Sequence, residues 1–389
     1  MRTACVTNFC PFYRRALFRI LAQRVGAEFF FFSDASESNW ENRNPRGDDA
    51  LPAVSLHHPP ILPGAVLLRV ARGLSSGRYD CVIQGVSGRY VVPLTYCVAK
   101  LRRIPFVAWT GFWNHPRTLF HRLTFPLIRH IYRHADAVVV YGTHVRDYIA
   151  SLGVPPERIF IAWNTADNAA YNRVVAPADA GALRRELAPD GMPLVLFVGR
   201  LSEEKGVGVL LDAAALWEKR GTRASLVIIG RGPEKAALED RVRRLDLTRV
   251  TFLDYVDNAE LYRYYHVADV LAVPSVTTRV FKEPWGLVVN EAMNQGCPVV
   301  ASDAVGAAMG GLLDDGTTGF VVDEGNASAL SVAVEKVLED NALRERMRVA
   351  ARARIGKWTY DRMAKGFIDA VAAATHSSRE YTANDSVSS

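Results

Sequence analysis

Two segments in the second half of the chain combine charged side chains with the expected start of a helix. In the first, FVGRLSEEKG, a strand is predicted to end at Gly199 and a helix to begin near Ser202, a good N-cap residue. Arg200 and Lys205 then lie beside unpaired helix N–H groups, where a cation opposes the helix dipole. A bound diphosphate would explain their placement through charge-assisted hydrogen bonds. The alternative is an Arg and a Lys on an ordinary surface.

The second segment, FKEPWGLVVNEAMNQGCPVVAS, carries two carboxylates, those of Glu283 and Glu291. Pro284 disfavours helical backbone at the residue before it, which places Glu283 in a loop and Glu291 on the helix that follows. Both can accept hydrogen bonds from sugar hydroxyls, although glutamates in such positions are commonly just solvated. The N–H groups expected to open this helix towards an anion belong to Gly286, Leu287 and Val288.

With their spacing of about 80 residues, these segments resemble the donor-binding signature of the retaining glycosyltransferases of family 4, which have the two-domain GT-B fold. The resemblance is strong over residues 193–357 and only topological over the first half. It implies that Arg200 and Lys205 hold the diphosphate of a nucleotide-sugar. It further implies that Glu283 binds hydroxyls of the donor sugar and that Glu291 binds the ribose.

The same resemblance implies further donor contacts. The backbone from Gly286 to Val288 would face the phosphate and the sugar, and the nucleobase would lie near Tyr255 and Val256. Gly230, in the turn GRGP, would face the cleft between the domains. As the start of a GxGxxG dinucleotide motif this turn lacks the third glycine, so a nicotinamide cofactor is not expected. The family is generally metal-independent, and neither a metal nor another cofactor is expected here.

The first half gives weaker signals. The segment WTGFWNHPR corresponds to a loop that often supplies an active-site histidine in this family, which makes His115 a candidate; otherwise it is a plain loop residue. Many members carry a glycine-rich loop after the first strand, where this chain reads NFCPFYR. Either Arg14 or Arg15 supplies the phosphate contact, or the acceptor pocket is built differently. The residues expected to carry the catalysis are Glu283, His115, Arg200 and Lys205.

A basic amphipathic stretch covers residues 117–136. Three of its arginines fall on one helical face, namely Arg122, Arg129 and Arg133. Such a helix can lie on anionic lipid or meet an acceptor, whereas the more common arrangement packs its apolar side in the core. Pro126 is expected to interrupt the helix. His130 and His134 have no third ligand nearby in the sequence, so they do not predict a metal site.

The composition is that of a globular protein: 389 residues, 49% apolar and 23% charged, which excludes disordered, collagenous and coiled-coil classes. Residues 1–175 contain 21 Lys and Arg against 11 Asp and Glu, whereas residues 176–389 contain 26 against 30. The basic first half predicts an anionic partner, such as lipid or a phosphate-bearing substrate. Nucleic acid is not expected, because zinc-finger and RNA-recognition signatures are absent from the sequence.

The five cysteines include no CxxC pair, which fits a reducing compartment. No apolar run has the length of a signal-peptide core or of a membrane span. These features predict a cytoplasmic protein, located at the inner face of the cytoplasmic membrane if its basic half meets lipid.

Short apolar runs alternate with helical patterns, which predicts an α/β protein with two Rossmann-like, doubly wound domains facing a central cleft. The expected divisions are an acceptor-binding domain at 1–175, a donor-binding domain at 176–357, a helix at 358–375 packing back on the first domain, and a disordered tail at 376–389. An irregular segment is expected at 33–63, a linker at 163–193 and a hairpin-like segment at 311–322.

Together these features favour a retaining transfer of sugar from a nucleoside diphosphate to a hydroxyl group. The basic first half favours a lipid-linked saccharide of cell-surface polysaccharide or glycolipid biosynthesis as the acceptor. The alternatives are a cytoplasmic enzyme that decorates a small molecule, a non-catalytic nucleotide-sugar binder, and a sugar-nucleotide epimerase on the same fold. Salt-sensitive binding to liposomes would distinguish the enzyme with a lipid-linked acceptor from the one that decorates a small molecule, because ions screen the attraction between arginines and lipid.

Overall fold

The computed structural model describes residues 1–32, 51, 53–55, 63–77, 79–86 and 90–387. Two compact units divide the chain. The first consists of Met1–Asn164 together with Tyr360–Ser389, and the second of Thr165–Thr359. Each unit contains one parallel sheet flanked by helices, as the alternation of apolar runs and helical patterns predicted.

The first unit is built on a seven-stranded parallel sheet. Its strands are β1 (Thr3–Thr7), β2 (Ala27–Phe31), β3 (Ala53–Ser55), β4 (Cys81–Gly85), β5 (Phe106–Thr110), β6 (Ala137–Val140) and β7 (Ile159–Ile161). Its first helices are α1 (Arg15–Val25), α2 (Pro63–Ser76), α3 (Val91–Leu101), α4 (Leu119–His134) and α5 (Thr143–Ser151). The strands lie side by side in the order β3-β2-β1-β4-β5-β6-β7.

Both faces of this sheet are buried, which explains why its strands are nearly continuous apolar runs. Successive side chains of a strand point to opposite faces. Phe29 therefore packs with Leu17 and Phe18 of α1, whereas its neighbour Phe30 packs in a second cluster that contains Val70 of α2. The two clusters form separate cores on either side of the sheet.

The second unit has a six-stranded parallel sheet. Its strands are β8 (Leu194–Val198), β9 (Ser225–Ile229), β10 (Val250–Leu253), β11 (Val270–Val273), β12 (Val299–Ser302) and β13 (Gly319–Val322). Its helices are α6 (Asn168–Tyr171), α7 (Pro177–Leu187), α8 (Val207–Lys219), α9 (Lys235–Arg244), α10 (Leu261–Val267), α11 (Leu287–Asn294), α12 (Gly306–Met309), α13 (Ala327–Glu339) and α14 (Asn341–Ile355). The strand order is β10-β9-β8-β11-β12-β13.

The last helix, α15 (Tyr360–Val387), belongs to the first unit. Met363 and Phe367 lie in the same core cluster as Trp109 of β5. At Gly366 the helix approaches β7 so closely that a Cβ atom would lie 2.5 Å from the carbonyl oxygen of Ile161. The helix also extends through most of the segment 376–389, where the sequence predicts disorder, while residues 388 and 389 lie outside the described residues.

The division between the units differs from the predicted one. The first unit ends at Asn164 rather than near residue 175, because the side chains of Thr165 and Asn168 both donate to the carbonyl oxygen of Trp358 in the second unit. The expected linker at 163–193 was wrong, since it contains α6 and α7. Helix formation there follows the good N-cap of Asp167, which accepts from the N–H of Ala169.

Two further expectations need correction. The irregular segment at 33–63 contains β3, which pairs with β2, while residues 33–50, 52 and 56–62 lie outside the described residues. The hairpin-like segment at 311–322 is no hairpin, because β13 pairs in parallel with β12, Gly319 lying opposite Val299. Within the described residues, no helix combines the length and the hydropathy that a membrane span requires.

Candidate functional site

The strand order of the second unit reverses at β8, which lies between β9 and β11. In doubly wound sheets, the connections from the two adjacent strands at such a reversal run in opposite directions. Ligands bind in the crevice between the loops at the carboxyl ends of these two strands. Here the loop after β8 contains Arg200 and Lys205, and the loop after β11 contains Glu283. Topology therefore places the predicted charged residues at the same edge of the sheet.

An ion pair joins these two loops. The ammonium group of Lys205 donates to Oε2 of Glu283, and both side chains are largely buried. The backbone fixes Glu283 as well, since its carbonyl oxygen accepts from the N–H of Gly306, 3.1 Å away. A charge pair withdrawn from water in this way contributes little to stability by itself, because desolvation offsets the attraction. Its position at the reversal point of the sheet indicates a functional role.

Arg200 is held by a neighbour that sequence reasoning missed. Its guanidinium donates to the Glu204 carboxylate and, over 3.1 Å, to Oγ of Ser202. Ser202 in turn donates to Glu204 over 2.8 Å. Burial raises the pKa of Glu204, but the hydrogen bonds from Arg200 and Ser202 outweigh burial and lower it. Glu204 therefore stays ionised and orients Arg200.

Ser202 does not cap a helix, which corrects the expectation for this segment. Residues Glu203–Lys205 form a single 3₁₀ turn, and α8 begins only at Val207. The hydroxyl of Ser202 accepts from Arg200 and donates to Glu204, and it makes no capping hydrogen bond with a backbone N–H of the turn. Lys205 consequently lies in a loop between strand and helix.

Gly206 allows the two loops to touch, which sequence reasoning also missed. Its backbone has a φ of +64°, and a Cβ atom there would lie 2.0 Å from the carbonyl oxygen of Pro274. Beside it, the N–H of Val276 donates to the carbonyl oxygen of Glu204 over 2.9 Å. The glycine at the end of EEKG was the signal that could have revealed this close approach.

The helix α11 begins as predicted, at Leu287 after Gly286, whose φ is +88°. The preceding loop is anchored by Trp285, which donates from Nε1 to Oδ1 of Asn290 over 2.7 Å and accepts from the N–H of Ala307. Val288 follows in the first turn. The start of α11 is thereby fixed four residues after Glu283, at the end of the same loop.

Glu291 has different surroundings from those expected. Its carboxylate accepts from the hydroxyl of Tyr265 on α10, 2.7 Å away, and from Tyr171 on α6. Burial raises the pKa of Glu291, while the two phenols partly oppose that increase. The structure thus links Glu291 to two tyrosines of the second unit.

The glycines of the turn after β9 have a packing role. A Cβ atom at Gly230 would lie 1.8 Å from the carbonyl oxygen of Gly199, and one at Gly232 would lie 2.1 Å from that of Leu201. This turn therefore rests directly on the loop after β8, and no dinucleotide motif is needed to explain its glycines.

Tyr255 lies just beyond β10 and is about half exposed, with the guanidinium of Arg231 5.5 Å from its ring centre. Val256, which follows it, is partly buried. Both residues therefore follow the edge strand of the second sheet, and their contact with a nucleobase stays a prediction.

In the first unit, the structure ties His115 to the beginning of α4. Its Nε2 lies 2.7 Å from the carbonyl oxygen of His121, and its ring packs 4.2 Å from that of Phe125. Because a carbonyl only accepts hydrogen bonds, Nε2 is the donor of this contact. His115 therefore has one nitrogen committed to the fold.

Arg14, the expected phosphate contact of the first unit, is used internally. Only 4% of its surface is exposed, and it donates to Oδ1 of Asn164 and lies over the ring of Tyr13. It also reaches Sδ of Met363 on α15. Arg14 thus fastens the loop after β1 to the end of the unit, while Arg15 is the first residue of α1.

The arginines of the basic stretch, Arg122, Arg129 and Arg133, are all exposed on α4. The helix continues through Pro126, contrary to the prediction, because this residue lies on the exposed side. There water can bind the carbonyl that loses its hydrogen bond.

Comparison with known proteins gives two family matches. Residues 16–169 match the model described as Glycosyltransferase Family 4, and residues 181–354 match that described as Glycosyl transferases group 1. D-inositol 3-phosphate glycosyltransferase of Xylanimonas cellulosilytica is 30% identical over 405 residues, which is 93% of this chain and 91% of that protein. Alpha-D-kanosaminyltransferase of Streptomyces kanamyceticus is 34% identical over 241 residues, 60% of each chain. The match to the kanosaminyltransferase thus spans less than two thirds of that relative's length.

Solved structures support the fold. Anabaena HepE in complex with UDP has a TM-score of 0.73 at 20% identity, with 98% of this chain and 100% of that chain covered. WaaG, described as a glycosyltransferase involved in lipopolysaccharide biosynthesis, has a TM-score of 0.67 at 17% identity, covering 95% and 99%. At such identities the likeness concerns the fold, and it confirms the GT-B architecture that the sequence predicted.

Proposed function

Since the chain belongs to the family-4 glycosyltransferases and has the GT-B fold, we propose that it transfers a sugar from a nucleoside diphosphate to a hydroxyl acceptor with retention of configuration. The observation that carries this proposal is the ion pair between Lys205 and Glu283 at the reversal point of the second sheet. It joins a cation suited to a diphosphate with a carboxylate suited to sugar hydroxyls.

Donor binding would divide this pair. The diphosphate takes the ammonium group of Lys205, and the hydroxyls of the sugar take the carboxylate of Glu283. Arg200, oriented by Glu204, provides a second cation from the same loop. Each group exchanges one partner for another, so neither charge is left buried and unpaired.

The chemical difficulty is the negative charge that develops on the leaving diphosphate as the bond to C1 of the sugar breaks. Lys205, Arg200 and the N–H groups at the start of α11 are fixed before the reaction and would stabilise that charge. The acceptor oxygen bonds to C1 on the face that the diphosphate leaves, and a diphosphate oxygen takes the proton of the hydroxyl. This sequence retains the anomeric configuration and requires no metal. His115 remains a candidate catalytic residue on the first unit.

Two observations guide the choice of substrates. UDP and UDP-glucose are bound by HepE, so uridine diphosphate sugars are the first donors to test. The excess of cations in residues 1–175 supports a lipid-linked saccharide as acceptor, for polysaccharide or glycolipid assembly.

A small phosphate-bearing polyol is the second candidate acceptor, since the relative aligned over 93% of the chain is named for D-inositol 3-phosphate.

The test is a transfer assay with the full chain. UDP-, GDP- and dTDP-sugars are each combined with a bacterial lipid extract or with inositol phosphates, and release of the nucleotide is measured with and without EDTA. The proposal predicts acceptor-dependent release that EDTA does not change, and a product whose anomeric signal in NMR matches that of the donor. An inverted product, or donor conversion that ignores every acceptor, would contradict it.

A further inference from the structure

We infer that the outward face of α4 is a docking surface for an anionic lipid bilayer, with three leucines entering the headgroup boundary and two arginines binding lipid phosphates. This inference goes beyond the transfer reaction and rests on residues of the first unit alone. Only its purpose, access to a lipid-linked acceptor, depends on the proposed function.

Three leucines form an exposed line along α4. Leu119 and Leu123 are each 73% exposed and Leu127 is 46% exposed. Their spacing of four residues places them one above another on successive turns of the helix. Single exposed leucines are ordinary on soluble proteins, whereas a contiguous row marks an interaction surface.

The core of the unit does not need these leucines. The opposite face of α4 supplies Ile131 and Tyr132, which are 1% and 4% exposed, and Phe125 and Ile128 pack against the same cluster. The common arrangement, in which the apolar side of a helix is buried in the core, is therefore already satisfied by a second set of side chains. The leucine row is additional apolar surface.

The charges beside the row favour an anionic partner. Arg122 and Arg133 are exposed and lie on one flank of the leucines, as the helical period requires. Residues 112–134 contain no Asp or Glu. A lipid surface complements this arrangement, because leucines can enter the interface while arginines meet phosphates. A second copy of the chain, docked on the same face by two-fold symmetry, would instead bring arginines close to arginines.

The backbone supports a surface of this length. Pro126 does not break α4, so the row is carried by one continuous helix from Leu119 to His134. Arg129 also lies on the exposed side, but its Nε donates to the carbonyl oxygen of Leu152 over 3.0 Å. It is therefore held against the protein and is left out of the proposed lipid contacts.

The test measures sedimentation of the full chain with vesicles of phosphatidylcholine alone or with 30% phosphatidylglycerol. We expect binding to the anionic vesicles that decreases between 0.1 M and 0.5 M salt, because ions screen the attraction between the arginines and the lipid phosphates. Leu119→Ser combined with Leu123→Ser should weaken this binding at least tenfold. The matched control combines Val332→Ser and Val349→Ser, which replace residues 56% and 60% exposed on helices of the second unit. It should bind as the parent does.

The charge contribution is tested separately. Arg122→Gln combined with Arg133→Gln should weaken binding to anionic vesicles by about tenfold or more and remove most of its salt dependence. Lys219→Gln, at the exposed end of α8, is the control and should have no effect.

Three results would overturn the inference: unchanged vesicle binding by the leucine variant, no binding by the parent chain, or a dimer of the parent that the leucine substitutions dissociate. Nucleotide binding separates this failure from that of the proposed function. The leucine variant should bind UDP as the parent does, and Lys205→Ala should bind vesicles as the parent does.

Discussion

In the second unit, the two loops at the reversal point of the sheet meet through the ion pair of Lys205 with Glu283, and a second ion pair, Arg200 with Glu204, lies within the loop after β8. At the corresponding point of the first unit, beside β1 and β4, the cation is Arg14, buried against an amide and two aromatic rings. The strand order around both points is the same. Topology thus provides a place for a ligand in both units, and side-chain chemistry decides whether a charged ligand can bind there.

The largest effect should come from the carboxylate of the charged pair. Glu283→Gln keeps the shape but removes the charge that balances Lys205 and that, in the proposed function, binds sugar hydroxyls. We expect the transfer rate to fall by about 10²-fold or more, a loss typical of a group that acts on the transition state. Glu239→Gln, on the surface of α9, is the control and should keep the parent rate. If Glu283→Gln retained a third of the activity, the pair would be structural.

The next effect tests whether the loops of the second unit depend on close backbone contact. In Gly230→Ala the new methyl group meets the carbonyl oxygen of Gly199, so we expect a loss of about 2–4 kcal/mol in the free energy of unfolding. Gly208→Ala is the control, because nothing lies within 4 Å of its Cβ position in α8, and it should gain about 0.5–1 kcal/mol. Hydrogen exchange of β8 and β9 measures the free energy of unfolding of both variants. Equal free energies for Gly230→Ala and Gly208→Ala would contradict a packing role for Gly230.

A smaller effect concerns pH. Burial raises the pKa of Glu335 on α13, but hydrogen bonds from Arg220 and Thr222 outweigh it and lower the pKa below its ordinary 4.5. A carboxyl group whose pKa is lower in the folded state than in the unfolded state stabilises the fold at pH values above its unfolded pKa. This stabilisation is lost as the pH falls through the folded pKa. Glu335→Gln should therefore cost about 1–2 kcal/mol at pH 7 and progressively less below about pH 4.5.

The first unit offers the comparison for this pH effect. In Glu28 the hydrogen bond from Arg2 lowers the pKa, against burial, but the pair is more exposed. We expect Glu28→Gln to destabilise the protein at pH 7 as Glu335→Gln does, but by a smaller free energy of unfolding. Hydrogen exchange of α13 and of β2 between pH 3 and 7 measures the two units separately. A loss that is independent of pH would contradict the assignment.

The smallest effect tests Glu291. Tyr265→Phe removes a hydrogen bond that lowers the pKa of this carboxyl, so the pKa should rise further. If Glu291 binds the ribose as an anion, affinity for UDP should fall two- to fivefold, with the larger loss at pH 5.5 and the smaller at pH 7.5. An equal loss at both pH values would show that the tyrosine contributes only packing.

Much of the fold could be predicted because its signals are local. Buried strands such as β1 and β8 are continuous apolar runs, and α11 follows a proline and a glycine that mark its start. The strand β3 was missed because it is three residues long within a polar segment. The helices α6 and α7 were missed because their small and polar residues read as turn chemistry, while tertiary packing against α10 and α11 decides their conformation.

The site was predictable to the same extent. Types and spacing identified Arg200, Lys205 and Glu283, because each charge lies near a glycine or proline that ends a strand or begins a helix. The partnership of Glu204 with Arg200 could not be predicted, since two glutamates precede Lys205 and only the 3₁₀ turn selects between them. The surroundings of Glu291 could not be predicted either, because Tyr171 and Tyr265 come from distant parts of the sequence.

The most direct measurement is calorimetric titration of the full chain with UDP, GDP and dTDP, repeated with Lys205→Ala and with Lys219→Ala. We expect one nucleotide to bind with micromolar affinity, Lys205→Ala to lose about 1.5–3 kcal/mol of the binding free energy, and Lys219→Ala to lose none. If no nucleotide binds, or if Lys205→Ala binds as tightly as the parent, the charged loops of the second unit are not the donor site.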